Sequence, residues 1–484
     1  MQRKKKEPQG PSEIFSSIPY EKPEIVRLGH PYYAKHGWVD RESVPSLSQI
    51  DGNEVEKLVS QFGSPLFVFS EKKIIEQFER AKKAFLDRYP KVTFGWSYKT
   101  NYLRSVCRVF HRLGAKAEVV SDFEYEQARF LGVPGPDIIF NGPFKPYAIL
   151  KRAVTEGARV HIDSLDELND LEQIAQETGI RPQVAIRLNL ATQGISPWSR
   201  FGFNLENGQA WSVIERLFSA GHLQLSGLHT HLGTFVLDPH AYETAVIKLV
   251  ALAKDIQEKY GEKISYLDLG GGFPSQAQLK GVYQPPEVAV PPIEAYAQAI
   301  TSTLRAHWFD STLPELVLES GRHLIDEAGY LVTSVVAEKL LPDSRRAYVL
   351  DAGVNLLYTS TWYRPKIFLG KAAPQPGDSG TPTPSILLGP LCMNIDVVCE
   401  SLMIRRLKRF EPLVLHPVGA YNVTQWMQFI QYRPAVILIG VDQKARLIRK
   451  RENLEVMGWC DQGEEIAQEK VDLPPDSSHP RKKK

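Results

Sequence analysis

The sequence predicts an α/β protein in which a (β/α)8 barrel is followed by a mainly β domain. Between residues 63 and 330, eight short apolar runs take turns with longer segments that repeat apolar residues at helical spacing. The short runs lack strict alternation, which is typical of parallel strands buried on both faces. Eight strand–helix units in this length favour a barrel of the TIM type. A doubly wound open sheet remains the alternative, because periodicity cannot show closure.

The eight predicted strands are rich in Val, Ile, Leu and Phe. They are Val92–Tyr98, Ala117–Val120, Asp137–Phe140, Ala158–Ile162, Gln183–Leu188, Leu225–His229, Ser265–Leu269 and Leu316–Leu318. Helices are predicted over Glu71–Tyr89 and Leu165–Thr178. Asp163-Ser164 followed by Glu167 is typical of a capped helix start.

The chain after residue 330 has strand-like runs separated by Pro and Gly, and few long helices. These runs are Leu331–Glu338, Ala347–Leu350, Lys366–Leu369, Ser385–Leu388 and Ala435–Ile439. The Gly- and Pro-rich stretch Ala372–Pro384 is predicted to be an exposed loop. Four parts are therefore expected: residues 1–62 partly joining the β domain, the barrel at 63–330, the β-rich domain at 331–460, and a disordered tail at 461–484.

Composition and charge narrow the class of protein. The 484 residues carry 58 basic and 56 acidic side chains, a formal charge of +2, which implies no nucleic-acid partner. The basic clusters at the two ends are interpreted as solvated tails. No run of 18 apolar residues occurs, so neither a membrane span nor a secretory signal is expected. The four cysteines lack disulfide or CxxC spacing, which favours a reducing, cytoplasmic setting.

Polar or glycine residues follow all eight predicted strands. The loops after barrel strands converge on one mouth, where the chemistry of such proteins gathers. In chain order this ring consists of Lys99, Ser121, Asn141, Asp163, Arg187 with Asn189, His231, Gly270–Gly272, and Glu319 with Arg322.

Lys99 and the glycine triplet point to one kind of cofactor. A lysine in a barrel mouth is partly desolvated, which lowers the pKa of its amine and frees it to form a Schiff base; taken alone, Lys99 reads as a surface lysine. Gly270, Gly271 and Gly272 can bring several backbone N–H groups to a phosphate, although a tight turn would also use glycine. Together they favour a phosphorylated aldehyde cofactor.

Two further residues of the ring have competing interpretations. His229-Thr230-His231 resembles an H-x-H metal pair, but zinc needs three or four ligands and the other strand ends offer no histidine cluster, so no metal is predicted. One imidazole is instead expected to stack on a cofactor ring and the other to lie in the core. Glu319 either forms a surface pair with Arg322 or bonds a pyridine nitrogen and holds it protonated.

Seven motifs in order resemble the ornithine/diaminopimelate/arginine decarboxylase family of fold type III pyridoxal-phosphate enzymes. The family shares its barrel with alanine racemase, and the resemblance is greatest to its diaminopimelate decarboxylase-like members. It covers roughly residues 60–445. The motifs are Tyr98–Asn101 (similar to Y-x-V-K-A-N), Glu118–Ser121 (D-V-V-S), Gly227–Thr234 (G-L-H-C-H-I-G-S), Leu267–Pro274 (L-D-x-G-G-G-F-P), Glu319–Arg322 (E-P-G-R), Gly389–Cys392 (G-P-x-C) and Gly419–Tyr421 (G-A-Y).

The resemblance implies a role for each matched residue. Lys99 would carry pyridoxal 5′-phosphate as a Schiff base, His231 would stack on its ring, and Glu319 would bond the pyridine nitrogen. Cys392 would enter from the partner subunit of a homodimer and return a proton to the substrate carbon after CO2 leaves. The remaining cofactor contacts implied are Glu118, Arg187, Gly233, Thr234, Gly270, Gly271, Gly272, Gly321, Arg322 and Tyr421.

Departures from the family pattern bear on the substrate. Met393 follows the cysteine where diaminopimelate decarboxylases usually have glutamate, and Thr359 stands where their arginine for the distal carboxylate is expected. Glu118 also replaces the usual aspartate. A missing arginine would leave the doubly charged end of diaminopimelate unpaired, so the substrate is expected to be a diaminopimelate-like, basic or conjugated amino acid, unless Arg364 substitutes. The predicted substrate contacts are Arg322, Tyr363, Arg364 and Met393.

Three alternatives stay open on the sequence. An amino-acid racemase on the same barrel would need a second base and would tend to have arginine at the pyridine nitrogen, whereas this chain has Glu319. A catalytically silent homologue that binds a partner enzyme would be favoured by loss of Lys99 or Cys392, and both are present. A metal-dependent barrel hydrolase lacks the ligands.

Overall fold

A computed structural model of the chain describes residues 44–195, 198–282, 284–372 and 381–460. Both basic ends, the predicted tail at 461–484 and most of the predicted loop Ala372–Pro384 therefore lie outside the described residues. The described end of that loop already belongs to a strand that begins at Thr383.

The first described elements pack with the second domain. They are strand β1 (Gln49–Ile50), strand β2 (Asn53–Glu54), helix α1 (Val55–Phe62) and strand β3 (Leu66–Ser70). Leu66–Ser70 falls in the predicted barrel segment, but β3 pairs with two strands of the second sheet. Its five residues are all buried, so their composition does not distinguish one buried sheet from another.

Eight parallel strands close into a barrel. The strands of this part of the chain are β4 (Val92–Ser97), β5 (Lys116–Val119), β6 (Ile138–Phe140), β7 (Arg159–Ile162), β8 (Gln183–Asn189), β9 (Phe203–Asn204), β10 (Gln224–Thr230), β11 (Tyr266–Asp268), β12 (Gln278–Leu279) and β13 (Glu315–Ser320). The short strands β9 and β12 lie outside the ring. Pairing of β8 with β10 and of β13 with β4 completes the circle, so the barrel is confirmed against the open sheet, and all eight predicted strands are present.

Helices connect the barrel strands. They are α2 (Glu71–Leu86), α3 (Arg104–Arg112), α4 (Asp122–Phe130), α5 (Tyr147–Thr155), α6 (Leu165–Thr178), α7 (Gln209–Ala220), α8 (His240–Tyr260), α9 (Pro286–Ala289), α10 (Ile293–His307) and α11 (Arg322–Ile325). The Ser164 hydroxyl accepts from the Glu167 N–H at the start of α6, which confirms the predicted cap. The predicted helix Glu71–Tyr89 is shorter in the structure, where α2 ends at Leu86. Tyr89 lies beyond the helix end but is buried, so its side chain continues the apolar pattern of the sequence.

The second domain is a nine-stranded mixed sheet that contains β3. Its part of the chain forms β14 (Gly329–Leu340), β15 (Arg346–Leu350), β16 (Tyr363–Arg364), β17 (Lys366–Leu369), β18 (Thr383–Leu388), β19 (Val397–Ile404), β20 (Pro412–His416), β21 (Ala435–Ile439), β22 (Ala445–Arg449) and helix α12 (Leu454–Gly458). The order is β19-β18-β15-β14-β3-β21-β22. Strand β20 pairs with β14 and β17 pairs with β20, while β16 pairs with β12. All five predicted strands are present.

The second domain closes over the carboxyl end of β4. The Tyr421 N–H donates to the Thr100 carbonyl at 2.9 Å, and the Thr424 hydroxyl donates to the Lys99 carbonyl at 2.9 Å. One apolar cluster runs from Trp96 of β4 to Trp426 of the second domain. Burial of such large side chains stabilises the contact between the second domain and the barrel by about 2 kcal/mol each. This contact and the two hydrogen bonds hold the backbone of Lys99 in place. None of the helices among these residues is long and apolar enough to cross a membrane.

Candidate active site

Lys99 lies directly after β4 and faces a buried carboxylate on the next strand. Its side chain is 31% exposed, while that of Glu118 on β5 is 0% exposed, and the Lys99 Nζ donates to Glu118 Oε2. Burial alone would lower the pKa of the Lys99 amine, but the charges of Glu118 and Glu319 raise it above its ordinary value. The predicted lowering of this pKa is therefore wrong for the protein without cofactor, because the neighbouring carboxylates outweigh desolvation.

Asn141 links the carboxylate beside the lysine to a second one. Its side-chain amide donates to Glu118 Oε1 at 3.1 Å and also to Glu319 Oε1. A chain of polar contacts thus runs from the Lys99 amine through Glu118 and Asn141 to Glu319. Because both carboxylates are almost fully buried, their orientation is set by these contacts rather than by solvent.

Glu319 and Asp268 share a buried region but hold their protons differently. Burial would raise the pKa of Glu319, yet His229, Lys99 and His161 together keep it well below its ordinary value. Burial and the charge of Glu319 raise the pKa of Asp268 well above its ordinary value. Glu319 is therefore the ionised member of the pair. It forms no ion pair with Arg322 among the described residues, so the surface-pair interpretation is wrong.

The two histidines of the H-x-H motif lie in different surroundings. His229 is buried in the barrel interior, whereas His231 is half-buried at the mouth. Burial and the positive charges of Arg187 and Lys99 lower the pKa of His231 to about 3, so its imidazole is neutral. The ring of Trp198 lies with its centroid 5.5 Å from that of His231.

The glycine loop after β11 abuts His231 and the loop that follows it. Gly270 and Gly272 have φ values of 64° and 92°, in the left-handed region. A Cβ on Gly270 would lie 2.8 Å from the His231 Cβ, and one on Gly272 would lie 2.6 Å from the Gly233 carbonyl oxygen. One on Gly271 would lie 2.3 Å from the Glu319 carbonyl oxygen. Each glycine therefore lets this loop, which we call the glycine cradle, pack against its neighbours where a side chain would clash.

Arg322 supplies a buried positive charge framed by aromatic rings. Its guanidinium carbon lies 4.2 Å from the ring centre of Tyr363 and 4.9 Å from that of Tyr421. The Arg322 Nη1 approaches Asp326 Oδ2 at 3.8 Å, and its buried Nε has no hydrogen-bond partner among the described residues. An arginine with an unused buried donor fits an anion such as a phosphate.

The other predicted site residues occupy supporting or separate positions. Arg187 is buried, approaches Asp163 at 3.3 Å and lies over the Phe201 ring. A Cβ on Gly321 would strike the Thr100 hydroxyl, so this loop packs on the turn that carries Lys99. Thr234 is exposed.

The residues predicted to act on substrate do not all converge within one chain. Cys392 is exposed on a turn before β19, and no hydrogen bond or ion pair joins it to Lys99, Glu319 or His231 in the described part of the chain. Asp396 holds that turn by accepting from the Leu391 and Val354 N–H groups, each at 2.8 Å.

The substitutions that set this chain apart have defined surroundings. The Thr359 hydroxyl is buried and donates to Asn422 Oδ1 at 2.9 Å. Arg364 is exposed on β16, opposite Gln278 of β12. Met393 is half-buried on the turn with Cys392. Neither Thr359 nor Met393 provides a charge for a substrate side chain.

Several residues of the site were not identified as such from the sequence. Asn141 was recognised only as a strand end, and His161, Trp198, Asp268 and Asp396 were not singled out. Asp268 sits within a quoted motif, which was a usable signal. His161 comes from β7 and lies with its ring centre 4.7 Å from that of His229, a proximity that only barrel closure creates.

Comparisons with known proteins agree on one family. Residues 71–326 match the family described as pyridoxal-dependent decarboxylase, pyridoxal binding domain. The chain is 29% identical to the diaminopimelate decarboxylase of Aquifex aeolicus over 84% of its own length and 93% of that protein's, and 27% identical to that of Bacillus subtilis over 87% and 96%. A crystal structure of diaminopimelate decarboxylase from M. jannaschii in complex with L-lysine is similar with a TM-score of 0.76 and 25% identity, covering 88% of this chain and 99% of that one.

Proposed function

The chain belongs to the pyridoxal-dependent decarboxylases, and from that premise we propose that Lys99 carries the cofactor in a site completed by Cys392 of a second subunit. The observation that carries the proposal is the ring of residues that follow the barrel strands. An amine, an ionised buried carboxylate, a glycine cradle and a buried arginine meet at one end of the barrel.

These residues fit pyridoxal 5′-phosphate by their chemistry. The glycine cradle and the unpartnered Nε of Arg322 suit its phosphate, with Gly233, Thr234 and Tyr421 nearby in the chain's loops. Glu319 suits a protonated ring nitrogen, and neutral His231 suits stacking on the ring. When bound, the cofactor supplies an electron sink for the pair of electrons that departing CO2 leaves behind.

The side chains around Lys99 prepare its amine. Lys99 must lose a proton before it can act as a nucleophile, and Glu118 Oε2 is the base in direct contact with it. Asn141 holds Glu118 by its other oxygen, so the carboxylate remains aimed at the amine. We therefore assign Glu118 the acceptance of the Lys99 proton.

Cys392 acts as the general acid that returns a proton to the substrate carbon. Within one chain its thiol is exposed and bonded to none of the residues around Lys99 that the structure describes, which supports its delivery to another subunit's site in a homodimer. On the same turn the apolar side chain of Ile395 is 69% exposed, which also suits a contact between subunits. Because the Cys392 thiol that donates the proton comes from the other subunit, turnover requires a dimer.

The substrate is an amino acid whose distal end lacks a second free amino-acid group. Thr359 is neutral and already bonded to Asn422, and Met393 is apolar, so neither would pair with the charges on diaminopimelate's far end. A basic side chain such as that of lysine or ornithine, or an uncharged conjugate, leaves fewer groups unpaired. The four cysteines, all free, support the cytoplasm as the place of action.

The proposal is tested by CO2 release from purified protein. Candidate substrates are meso-diaminopimelate, L-lysine, L-ornithine, L-arginine and carboxylated polyamines. We expect release from a basic or conjugated substrate, and at least about 1,000-fold loss in Lys99→Ala because the nucleophile is gone. Lys151→Ala, which removes an exposed lysine paired with Glu177, is the matched control and should keep wild-type activity. Cofactor that becomes covalently fixed to Lys99→Ala protein on borohydride reduction, as it does to the wild type, would refute the role of Lys99. Activity on diaminopimelate alone would refute the substrate class.

A further inference from the structure

Below the ring of proposed cofactor residues lies a buried polar group that the proposed function does not use. We call His161, His229 and Asp268 the floor cluster, because they surround Glu319 inside the barrel. His161 Nδ1 lies 4.0 Å from Glu319 Oε1 and 4.0 Å from Asp268 Oδ2, and His229 Nε2 lies 3.6 Å from Glu319 Oε2. The side chains of all four residues are at most 2% exposed.

Four polar atoms of the floor cluster lack hydrogen-bond partners in the part of the chain that the structure describes. They are His161 Nδ1, both ring nitrogens of His229 and Asp268 Oδ2, and all four are buried. An unmade hydrogen bond in the interior costs about 1–3 kcal/mol per group, so native proteins fill such places with an ordered water or an ion. Two of these atoms, His161 Nδ1 and His229 Nε2, lie 4.0 Å and 3.6 Å from the Glu319 carboxylate, which indicates a bridging species between them.

The separations favour a water molecule over a metal ion. Ligands of a tetrahedral zinc ion lie about 3.4 Å apart when their bonds are about 2.1 Å long. The 4.0 Å separations from His161 Nδ1 are wider than that, and hydrogen bonds of about 2.8 Å to one shared water span them without movement.

Tyr266 determines which nitrogen of His161 carries the proton. The Tyr266 hydroxyl lies 3.2 Å from His161 Nε2. Burial raises the pKa of Tyr266 and lowers that of His161 well below its ordinary value, so the phenol keeps its proton and the imidazole is neutral. The Tyr266 hydroxyl has no other hydrogen-bond partner among the described residues, so its proton goes to Nε2, and the single imidazole proton sits on Nδ1, which faces the carboxylates.

We propose that His161 is a positioning residue that donates its Nδ1–H to one buried water, which in turn donates to Glu319 and holds this carboxylate ionised and oriented toward the barrel mouth. The inference rests on the proposed function, since it matters only if Glu319 meets a cofactor nitrogen. It explains why Asn141 and His161 approach the same Oε1 atom from different strands, leaving the carboxylate little freedom to turn.

The charge on Glu319 depends on groups from five strands. His161 faces it from β7, His229 from β10 and Asp268 from β11, while Glu118 of β5 and Lys99 after β4 reach it through Asn141. Of these, His161 is the one that Tyr266 locks as a donor. Its removal is therefore expected to weaken the ionised state of Glu319 and, through it, the protonated state of the ring nitrogen.

The experiment measures the pKa of the cofactor's ring nitrogen. Wild type, His161→Asn and His161→Phe holoenzymes are loaded with pyridoxal phosphate labelled with 15N at the ring, and the 15N chemical shift is followed against pH. Asparagine keeps an N–H donor near the position of Nδ1, and phenylalanine keeps the volume without it. We expect the pKa of the ring nitrogen to fall by about one unit in His161→Phe, a tenfold change, and to stay near wild type in His161→Asn. Calorimetry of both variants verifies folding.

Two outcomes would overturn the inference: an unchanged nitrogen pKa in folded His161→Phe, or equal shifts in both variants, which would mean that the volume of the ring matters rather than its donor. If His161→Phe does not fold, Tyr266→Phe decides, because loss of the tautomer lock should also lower the nitrogen pKa and an unchanged value would contradict the relay. Failure of wild-type protein to bind the cofactor would instead refute the proposed function, so the two failures are distinguishable.

Discussion

The Lys99 amine shares a hydrogen bond with a carboxylate that water does not reach. Such a contact stabilises the ammonium form, so the amine holds its proton more tightly than a free lysine does. The protein without cofactor therefore holds Lys99 as an ammonium ion, and cofactor capture requires the loss of that proton.

Replacing Glu118 tests this dependence. In Glu118→Gln the negative charge in contact with the amine is lost, and the pKa of Lys99 should fall because burial then dominates. We expect the pH at which cofactor capture is half-maximal to move to lower values by one unit or more. Stopped-flow absorbance after mixing apoprotein with pyridoxal phosphate measures it. Glu177→Gln, an exposed change, is the control. A midpoint shared by both variants would mean that Glu118 does not raise the pKa of Lys99.

His231 makes folding stability sensitive to mild acid. Its pKa is about 3 in the folded protein against about 6.5 when free. Below pH 6.5 His231 binds a proton in the unfolded chain but not in the folded one. The contribution of His231 to the free energy of unfolding is therefore complete above pH 6.5 and is lost as the pH falls. At pH 5 the loss is about 2 kcal/mol.

The histidine effect is measured by difference. Denaturant unfolding of apoprotein at pH 7.5 and pH 5 should show a drop in the free energy of unfolding that is about 2 kcal/mol smaller in His231→Gln than in wild type. The other buried histidines titrate in both proteins and cancel. Equal drops in the two proteins would mean that His231 is protonated in the fold.

At the scale of elements, the loop after β11 owes its shape to glycine. Gly272 combines a φ of 92° with a carbonyl oxygen 2.6 Å from where a Cβ would lie, so Gly272→Ala should displace the Gly233 loop. We expect pyridoxal phosphate affinity to fall at least about tenfold, or about 1.4 kcal/mol. Equilibrium dialysis against the cofactor measures this.

Gly208→Ala provides the matched control for this loop. Gly208 has a φ of 83°, but within the described part of the chain no atom lies within 4 Å of its Cβ position, so the change adds the same backbone strain without crowding. It should reduce stability while leaving cofactor affinity intact. Equal losses of affinity in both variants would show that strain alone, rather than the cradle, is responsible.

The elements themselves were largely predictable from sequence, and their pairings only in part. The barrel strands are contiguous apolar runs, and Ser164 marks a helix start by local chemistry. Strand β3 has the same apolar character, but its partners come from residues far along the chain. For the same reason the approach of His161 to His229, and the bridge made by Asn141, could not be inferred: each depends on which strands become neighbours around the barrel.

At the scale of the whole molecule, the proposed site needs two chains. If Cys392 serves the partner's site, then Lys99→Ala and Cys392→Ala subunits are each inactive alone but form one intact site when paired. A mixed preparation in which subunits exchange freely should recover about a quarter of wild-type activity, because half of the dimers carry one working site of two. CO2 release after denaturation and refolding together measures it, and the two variants refolded separately and then combined are the control. No recovery in a preparation shown to be dimeric would mean that each chain completes its own site.

The second sheet is built from strands on both sides of the barrel in the sequence. Strand β3 precedes the barrel strands, and its partners β14 and β21 follow them. Leu66 pairs with Val332 and with Ala435, so the middle of that sheet can be assembled only after almost the whole described chain has left the ribosome. Until then the five buried residues of Leu66–Ser70 have no lasting partner, and contacts of such long sequence separation form slowly. Biosynthesis of this protein thus leaves an apolar, strand-forming segment exposed until the chain is nearly complete, and heterologous production should profit from chaperones that shield nascent chains.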